Sequence, residues 1–340
     1  MFNTLMFKEL SDVIRNSSKV VIISHANPDG DAMGSSLGLY LFLKKLGIAA
    51  KIIVPNDYPM FLAWMPSIDD VVIYDKNTTL ANEVLNEADL FCYLDFNTES
   101  RTGLMHNDLC HFNKTSKVLI DHHIGADFSK FEAVISETNI SSTSQLVAEF
   151  IKYHGFNDYL DKDIATCLMV GIVTDTGSFA HSVDMTTFNI CGELLSTSID
   201  YKQIHQNIFD NSSENRLRLL GFLIKDRMNV LNEYNTAYIY ASKSDLEDYK
   251  YQVGDTEGVV NYPLSISNIK MSVLITERQG AIRLSFRSKG TFSVNDLAKK
   301  HFNGGGHLNA AGGTLTNCTL EQAIDKLLSI LPEYQEMLTE

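Results

Sequence analysis

The stretch Lys117-Val118-Leu119-Ile120-Asp121-His122-His123 is an apolar run that ends in one carboxylate and two imidazoles. The same arrangement occurs upstream, where residues 20–23 are apolar and lead into Ser24-His25-Ala26-Asn27-Pro28-Asp29-Gly30-Asp31-Ala32. Two further apolar runs end at Asp95 and at Asp175. Because the carboxyl ends of the strands in an open parallel sheet line one crevice, we expect these acidic and imidazole groups to converge.

Six of these residues form a set that we call the ligand cluster: His25, Asp29, Asp31, Asp95, His122 and Asp175. Taken alone, Asn27-Pro28-Asp29-Gly30-Asp31 would be an ordinary polar turn. Carboxylates crowded at one edge of a sheet repel each other unless cations hold them, so the full set predicts a metal centre. Oxygen-rich ligation with a minority of imidazoles and no cysteine favours Mn(II) or Mg(II) over structural zinc.

The size of the ligand cluster indicates two ions rather than one. Six ligand residues leave a single ion no room for water and substrate, whereas two ions about 3.5–4 Å apart can share a bridging carboxylate. Such a pair activates a water molecule and neutralises a phosphate, which is the chemistry of phosphoester hydrolysis.

Composition restricts the partners and the location of the protein. A net charge of -14 and a pI of about 5.1 oppose binding of long duplex nucleic acid, but they are compatible with a short, metal-anchored phosphate substrate. The five cysteines are scattered without a CxxC motif, which favours a reducing compartment. Because the sequence shows neither a signal-peptide layout nor an apolar stretch near the roughly 20 residues of a membrane span, we expect a cytoplasmic protein with no membrane partner.

The alternation of strand and helix patterns predicts an α/β fold with two domains. Residues 1–191 are predicted to form a doubly wound parallel sheet with helices on both faces. Its predicted strands are 20–24, 51–54, 71–74 and the two that end at Asp95 and Asp121, and its predicted helices are 32–46, 80–88, 142–153 and 161–174. Residues 192–228 are predicted to be a helical linker. A smaller α+β domain is predicted for 229–340, with strands at 236–241, 271–277 and 281–288 and a closing helix at 321–330.

The second predicted domain carries two features that suit an anion. Gly304-Gly305-Gly306-His307 is predicted to be a flexible, phosphate-sized loop whose backbone N–H groups bind an anion, with a plain flexible hairpin as the alternative. Strand alternation places Arg283, Ser285, Arg287 and Lys289 on one face. Arg287 could bind a phosphate through two hydrogen bonds, although this face is also compatible with a solvated sheet surface.

Several motifs give the sequence a resemblance to a known family. Four segments resemble the four motifs of the DHH phosphoesterases: SHANPDGDA, the aspartate of LDF, DHH and Thr174-Asp175-Thr176-Gly177. GGGH, followed by Leu308-Asn309-Ala310-Ala311-Gly312, resembles the DHHA1 domain of one subfamily. The resemblance runs from about residue 5 to residue 330 with the motifs in order, and it is greatest to the nanoRNase/pAp phosphatase group.

The resemblance implies two Mn(II) ions per chain, with Mg(II) or Co(II) as possible substitutes. His25, Asp29 and Asp95 would hold one ion. The other ion would be held by Asp31, Asp95, His122 and Asp175, with Asp95 as the bridge.

The resemblance also implies roles in catalysis and substrate binding. His123 would contact the scissile phosphate, and Asp121 would orient the motif. The active site would lie in the cleft between the two domains. The second domain would bind the terminal phosphate or nucleotide through nine residues: Arg283, Arg287, Ser288, Lys289, Gly304, Gly305, Gly306, His307 and Asn309.

The leading functional prediction is an Mn-dependent hydrolase that cuts very short RNA to 5′-mononucleotides and also removes the 3′-phosphate of adenosine 3′,5′-bisphosphate. We expect RNA of about two to five nucleotides, because the net charge of -14 penalises longer RNA. A linear or cyclic dinucleotide phosphodiesterase and an exopolyphosphatase or pyrophosphatase are alternatives, although Arg287-Ser288-Lys289 departs from the Ser-Arg-Lys order of family II pyrophosphatases. An inactive nucleotide-binding module is an alternative of a different class, which the complete ligand cluster disfavours. The sequence leaves a homodimer possible.

Overall fold

The computed structural model describes residues 4–278 and 280–339. The chain divides after Asn211 into two compact units, which we call the first unit and the second unit. The division falls inside the segment 192–228, for which the sequence predicts a helical linker. Among the helices of the described residues, none combines the length and apolar character that a membrane span requires.

The first unit is built around a six-stranded sheet in which all neighbouring strands are parallel. Its strands are β1 (Lys19–Ile23), β2 (Ala49–Val54), β3 (Val71–Ile73), β4 (Leu90–Leu94), β5 (Ser116–Asp121) and β6 (Ala133–Ser136). Its helices are α1 (Thr4–Arg15), α2 (Gly30–Lys45), α3 (Thr78–Glu87), α4 (His106–Leu109), α5 (Thr143–Tyr153), α6 (Phe156–Tyr159), α7 (Lys162–Asp175), α8 (Met185–Leu195) and α9 (Tyr201–Phe209). The strand order is β3-β2-β1-β4-β5-β6, which confirms the predicted parallel sheet; β6 has no counterpart among the predicted strands.

The sheet of the first unit is buried on both faces because each apolar run supplies side chains alternately to two cores. In β1, Val20 and Ile22 face one core, while Val21 and Ile23 face the other. The first core also contains apolar residues of α1, α2, α5 and α7, and the second contains those of α3 and α4. Helices therefore cover both faces, as the crossover connections of a parallel sheet require. Full burial of a Val or Ile side chain contributes roughly 1.5–3 kcal/mol, so the four residues together fix the strand firmly.

The strand order reverses at β1, which has β2 on one side and β4 on the other. Ligands of open α/β sheets bind outside the carboxyl ends of the strands at such a switch point. His25 follows β1 after one intervening residue, and Asp95 directly follows β4. The topology thus delivers these two predicted ligands to one edge of the sheet.

Helices α2 and α7 approach closely because small residues occupy the contact. Gly30, Gly34 and Gly38 are spaced four residues apart, which places them on one face of α2. A Cβ on Gly34 would lie 2.6 Å from the carbonyl oxygen of Cys167 and 2.8 Å from the backbone nitrogen of Gly171, both in α7. A side chain at this position would push the helices apart. The contact brings the first turn of α2 beside the last turn of α7.

The second unit contains a mixed six-stranded sheet in which β8 and β9 are parallel and the other pairs are antiparallel. Its strands are β7 (Met228–Leu231), β8 (Thr236–Ala241), β9 (Met271–Arg278), β10 (Ala281–Ser288), β11 (Gly305–Gly306) and β12 (Ala310–Thr316), in the order β11-β12-β10-β9-β8-β7. Its helices are α10 (Glu214–Phe222), α11 (Lys243–Asp248), α12 (Val294–His301), α13 (Leu320–Ile330) and α14 (Gln335–Thr339). The predicted α+β architecture is confirmed.

Strand β10 alternates between buried and half-exposed residues, as the sequence predicts. Leu284 and Phe286 are buried in a core that also contains apolar residues of α12 and α13. Arg283, Ser285 and Arg287 are half-exposed on the other face. The structure therefore confirms that the two arginines share one face of β10, and the apolar residues of the other face pack into the core.

The glycine run 304–306 is not the flexible loop that the sequence predicts. Gly305–Gly306 forms β11, which pairs with β12. A Cβ on Gly304 would lie 1.9 Å from the carbonyl oxygen of Gly312, and a Cβ on Gly306 would lie 2.4 Å from that of Ala310. Glycine is required here because the backbone of β12 occupies the space of a side chain. The prediction of a flexible loop was wrong because the sequence does not show which backbone approaches the run, and the alternative of a hairpin agrees with the antiparallel pairing of β11 and β12.

The packing of α2 on α7 generates a prediction for the substitution Gly34→Ala. The added methyl group meets backbone atoms that cannot move independently, so we expect the free energy of unfolding to fall by about 1–3 kcal/mol. Urea unfolding of the metal-free protein measures this change. Gly192→Ala in α8 is the matched control, because its Cβ would meet no atom within 4 Å and alanine favours the helix by up to about 1 kcal/mol. Equal stability of the two variants would contradict close packing of the helices.

Candidate metal centre

The loop between β1 and α2 places His25 and Asp29 at the edge of the sheet. The Nδ1–H of His25 donates to the carbonyl oxygen of Ala26 at 3.0 Å, which leaves Nε2 3.4 Å from Oδ2 of Asp95. Asp29 caps α2, since its Oδ1 accepts from two N–H groups of the first turn at 3.0 and 3.1 Å. The ligand atoms of His25, Asp29 and Asp95 lie within 4.8 Å of one another.

Asp95 lies at the centre of the ligand cluster and is only 2% exposed. Its φ of 64° is a left-handed conformation that Asp and Asn adopt more readily than other residues with a side chain. Its backbone N–H donates to the carbonyl oxygen of Ile120 at 3.1 Å, which ties the end of β4 to β5. Its Oδ1 lies 3.4 Å from Nε2 of His122, so the carboxylate stands between two imidazoles.

His122 faces three carboxylates. Its Nε2 lies 3.4 Å from Asp95, 3.5 Å from Asp175 and 3.9 Å from Asp31. Asp31 is in the first turn of α2 and Asp175 is the last residue of α7, so the close contact of these helices brings both to the imidazole. The ligand atoms of Asp31, His122 and Asp175 form a second group within 4.8 Å.

His123 is oriented by Asp121. The Nδ1–H of His123 donates to Oδ1 of Asp121 at 2.7 Å, which orients the ring and makes Nε2 the unprotonated nitrogen of the neutral form. Asp121 is fully buried, and its Oδ2 has no hydrogen-bond partner among the described residues. A buried carboxylate with one unsatisfied oxygen interacts strongly with a proton on the imidazole.

The N-terminus of α5 holds Asp31 in place, a contact that we did not predict from the sequence. The N–H groups of Thr143 and Ser144 donate to Oδ2 and Oδ1 of Asp31 at 2.7 and 2.9 Å. The hydroxyl of Thr143 donates to Oδ1 of Asp95 at 3.0 Å. The free N–H groups of a helix N-terminus and its dipole both stabilise a negative charge. The run Ser141-Ser142-Thr143-Ser144 is a helix-start signal, but it does not indicate which carboxylate the helix meets.

The ionisable groups of the ligand cluster perturb one another. Burial and the negative charges of Asp95 and Asp175 raise the pKa of Asp31 well above its ordinary value. Burial opposes ionisation of Asp95 as well, but hydrogen bonding to His122 and His25 holds the pKa of Asp95 well below its ordinary range. Burial alone would lower the pKa of His122, and the charges of Asp175 and Asp95 raise it well above its ordinary value. The metal-free cluster therefore retains protons that a bound cation would replace.

All six residues of the ligand cluster come together, and their chemistry fits divalent cations. Each of the two groups offers one imidazole nitrogen and two carboxylates. The separations of 3.4 to 3.9 Å between imidazole nitrogens and carboxylate oxygens leave room for an ion in contact with both. Burial, and then the negative charges of Asp95 and Asp175, disfavour the ionised form of Asp31, and a bound cation would offset both effects.

The predicted substrate residues at the end of β10 divide into two kinds. Arg287 is half-exposed and Lys289 is exposed. Ser288 is buried; its hydroxyl donates to the carbonyl oxygen of Phe292 at 2.7 Å and accepts from Nδ2 of Asn309 at 2.8 Å. Ser288 and Asn309 therefore support the fold of this region, and a contact of theirs with substrate stays a prediction.

The backbone of the glycine run does not form the predicted anion nest. The N–H of Gly304 donates to the carbonyl oxygen of Ala298 at 3.2 Å, and that of Gly306 donates to Oδ1 of Asn295 at 2.9 Å. The N–H of His307 donates to a carbonyl oxygen of β12 at 2.7 Å. Helix α12 therefore accepts from the N–H groups of Gly304 and Gly306, and β12 accepts from that of His307.

The chain matches a known family over both units. Residues 19–172 match the model of the N-terminal domain of the DHH family, and residues 235–336 match the DHHA1 domain. The crystal structure of an exopolyphosphatase-related protein from Bacteroides fragilis is 39% identical and covers 99% of this chain and 98% of its own, with a TM-score of 0.91. The chain belongs to the DHH family. 

Two further DHH family comparisons bear on function. The bifunctional oligoribonuclease and PAP phosphatase NrnA of Thermus thermophilus is 28% identical over 92% of this chain and 89% of its own. The cyclic-di-AMP phosphodiesterase GdpP of Geobacillus thermodenitrificans is 26% identical over 96% of this chain, which spans only 49% of GdpP. DHH family membership and these relatives support a hydrolase that acts on phosphoesters.

The central position of Asp95 generates a prediction for Asp95→Asn. Asparagine keeps the size and tolerates the left-handed backbone, but it removes the negative charge that lies between the imidazoles of His25 and His122. We expect the purified, dialysed variant to retain less than half of the wild-type metal content by elemental analysis. Asp210→Asn, at an exposed position after α9, is the control and should keep the full content. Full metal content in Asp95→Asn would exclude a shared role for this carboxylate.

The raised pKa values of His122 and Asp31 generate a pH prediction. In the metal-free protein, both groups keep their protons to a higher pH than the same side chains do in water. Each must lose its proton before it can bind a cation. Mn(II) affinity should therefore rise with pH until the pKa of His122 is passed, and binding at pH 7 should release protons. Calorimetric titration in two buffers of different ionisation enthalpy measures this release. Identical heats in both buffers would contradict it.

Proposed function

We propose that the protein hydrolyses very short oligoribonucleotides to 5′-mononucleotides and also removes the 3′-phosphate of adenosine 3′,5′-bisphosphate. The observation that carries the proposal is the convergence of six ligand residues beside the pair His123 and Asp121. The activity in the name of the Thermus relative supports this substrate class. In both reactions the bond that breaks joins phosphorus to a 3′ oxygen, so one site can serve both.

Within this proposal, the ligand cluster would hold two Mn(II) ions. His25, Asp29 and Asp95 would hold one ion, and Asp31, His122 and Asp175 would hold the other together with Asp95. When bound, such ions supply a nucleophilic water at neutral pH and neutralise the phosphate. Imidazole ligands favour Mn(II) over Mg(II), because nitrogen donors prefer transition metals.

His123 moves the proton in the proposed reaction. Hydrolysis forms a bond between phosphorus and a water oxygen, breaks the bond to the 3′ oxygen, and transfers one proton to the leaving group. Burial lowers the pKa of His123, so its Nε2 is unprotonated at neutral pH and can accept a proton. Asp121 stabilises the resulting imidazolium through Nδ1 at 2.7 Å, and Nε2 then donates the proton to the leaving oxygen.

In the second unit, we assign nucleotide binding to the half-exposed face of β10. Arg283 and Arg287 share this face, and Lys289 follows it in the chain. A guanidinium pairs with a phosphate through two parallel hydrogen bonds. His307 and the neighbouring Gly304, Gly305 and Gly306 are assigned to the same substrate through their exposed surface, since their N–H groups at 304, 306 and 307 are already used.

The deciding experiment offers several phosphoesters in parallel to protein loaded with Mn(II). We expect turnover of labelled RNA of two to five nucleotides and of adenosine 3′,5′-bisphosphate, and much slower turnover of a 24-nucleotide RNA, because the charge of -14 repels RNA that extends beyond the site. Cyclic dinucleotides, pyrophosphate and polyphosphate complete the panel. A marked preference for one of these three, or turnover in Mg(II) equal to that in Mn(II), would overturn the corresponding part of the proposal.

The assignment of β10 generates a prediction for Arg287→Ala. Loss of a charge-assisted contact costs about 1.5–3 kcal/mol, so we expect kcat/KM for an RNA dinucleotide to fall about ten- to hundred-fold with full metal content. A minimal aryl phosphate ester should be hydrolysed at nearly the wild-type rate, since it carries no second nucleotide. Arg218→Ala, on the exposed face of α10, is the matched control. If both substrates suffered equally, Arg287 would belong to the chemical step or to folding.

A further inference from the structure

Arg101 is positioned by the loops that carry the ligand cluster. It lies in the helical segment Glu99–Met105 that follows β4, and its carbonyl oxygen accepts from the N–H of Ala26 at 2.7 Å. Gly103 has a φ of 62°, and its Cβ position would be 3.3 Å from the Cβ of Ala26. The segment after Asp95 is therefore pressed against the residue that follows His25. This packing fixes the backbone of Arg101 beside two of the predicted ligands.

The charge of Arg101 reaches the imidazoles of the site. Burial lowers the pKa of His123, and the positive charge of Arg101 lowers it further. Burial and the positive charge of Arg101 both act to lower the pKa of His25. The hydrogen bond to Asp95 and the negative charge of the nearby carboxylates together outweigh them, so the pKa of His25 is raised. Arg101 is half-buried, and its backbone is hydrogen-bonded to the residue that follows His25, so the side chain starts from the edge of the sheet that carries these imidazoles.

Arg101 is not committed to a carboxylate. Among residues 4–278 and 280–339, no carboxylate oxygen pairs with its guanidinium within 4.0 Å, although the chain is strongly acidic. The neighbouring cations are paired: Lys117 lies 2.6 Å from Glu99, and Lys130 lies 3.8 Å from Asp127. The first unit contains only one other arginine, Arg15, whose guanidinium contacts a histidine on its surface.

The loaded centre needs an additional cation for an anionic substrate. Its four aspartates carry four negative charges, which balance the charge of two divalent ions. Asp121 adds a further buried carboxylate beside them. A phosphate that enters this site adds at least one more negative charge, and charge increases on its oxygens as hydrolysis proceeds. The ions attract the phosphate, but the ligand cluster contains no Lys or Arg that would offset the added negative charge.

We propose that Arg101 is a catalytic residue that binds a non-bridging oxygen of the phosphate undergoing hydrolysis. This inference rests on the proposed function and assigns a contact at the reacting phosphate, whereas Arg287 is assigned to the remainder of the substrate. Guanidinium suits the role because it is weakly hydrated, stays charged at all relevant pH values and donates two parallel hydrogen bonds. Lysine offers a single, strongly hydrated charge and replaces it only in part.

The test compares Arg101→Ala, Arg101→Gln and Arg101→Lys with wild type, all loaded with Mn(II). We expect kcat for an RNA dinucleotide and for bis(4-nitrophenyl) phosphate to fall by a similar factor of about 100–1000 in the Ala and Gln variants, as for loss of one transition-state donor. The Lys variant should recover part of the loss, and added guanidinium at low millimolar concentration should partly rescue Arg101→Ala. Arg15→Ala makes the same change of charge elsewhere in the first unit and should stay within about two-fold of wild type.

A binding measurement separates this inference from the proposed function. Calorimetric titration of inorganic phosphate into the Mn(II)-loaded protein should show affinity at least ten-fold weaker in Arg101→Ala and Arg101→Gln, with unchanged metal content. Unchanged phosphate affinity and unchanged kcat would overturn the role of Arg101, as would loss of metal or of folding in both variants. If wild type cut no RNA, the proposed function would fall, while weaker phosphate binding in the variants would still place Arg101 at the anion.

Discussion

The close approach of α2, α5 and α7 is the constraint on which the ligand cluster depends. Gly171 of α7 marks its tightest point, because a Cβ there would lie 1.8 Å from the hydroxyl of Ser144 and 2.7 Å from Oδ1 of Asp31. Asp31 is only 1% exposed, and a buried carboxylate is tolerated when hydrogen-bond donors and cations surround it. The three helices provide the donors by bringing the first turn of α5 to Asp31. A wider separation would leave that charge without donors.

Much of the fold and of the ligand cluster could be predicted because both follow from the order of local patterns along the chain. Apolar runs that end in Asp or His identify strand ends, and the parallel sheet brings those ends to one edge. His25, Asp95 and His122 illustrate this, as does the alternation along β10. These features depend on the spacing of apolar residues along the chain and on the order of strands and helices. Both can be read without knowing which distant segments come into contact.

The remaining features could not be predicted because they depend on contacts between distant segments. The hydrogen bonds from α5 to Asp31 join residues 112 and 113 positions apart. The glycine run 304–306 suggested a loop, but a neighbouring strand fills the missing side-chain volume. The chain divides after Asn211, within a stretch of helical periodicity. A helix that connects two units has the same apolar pattern as a helix within one unit, so the pattern does not locate the boundary. The role inferred for Arg101 likewise depends on packing against Ala26 that no local motif encodes.

The spread of the ligand cluster along the chain has a consequence for biosynthesis. Its first member is His25 and its last is Asp175, at the end of α7. A ribosome that adds roughly 5–20 residues per second needs about 8–30 s to make the intervening segment. Until α7 emerges, the second group of ligands lacks Asp175 and the helix contact that aligns it. Metal acquisition is therefore a late event in the maturation of the first unit, and ions cannot nucleate its folding in the way that a zinc finger is nucleated by four neighbouring ligands.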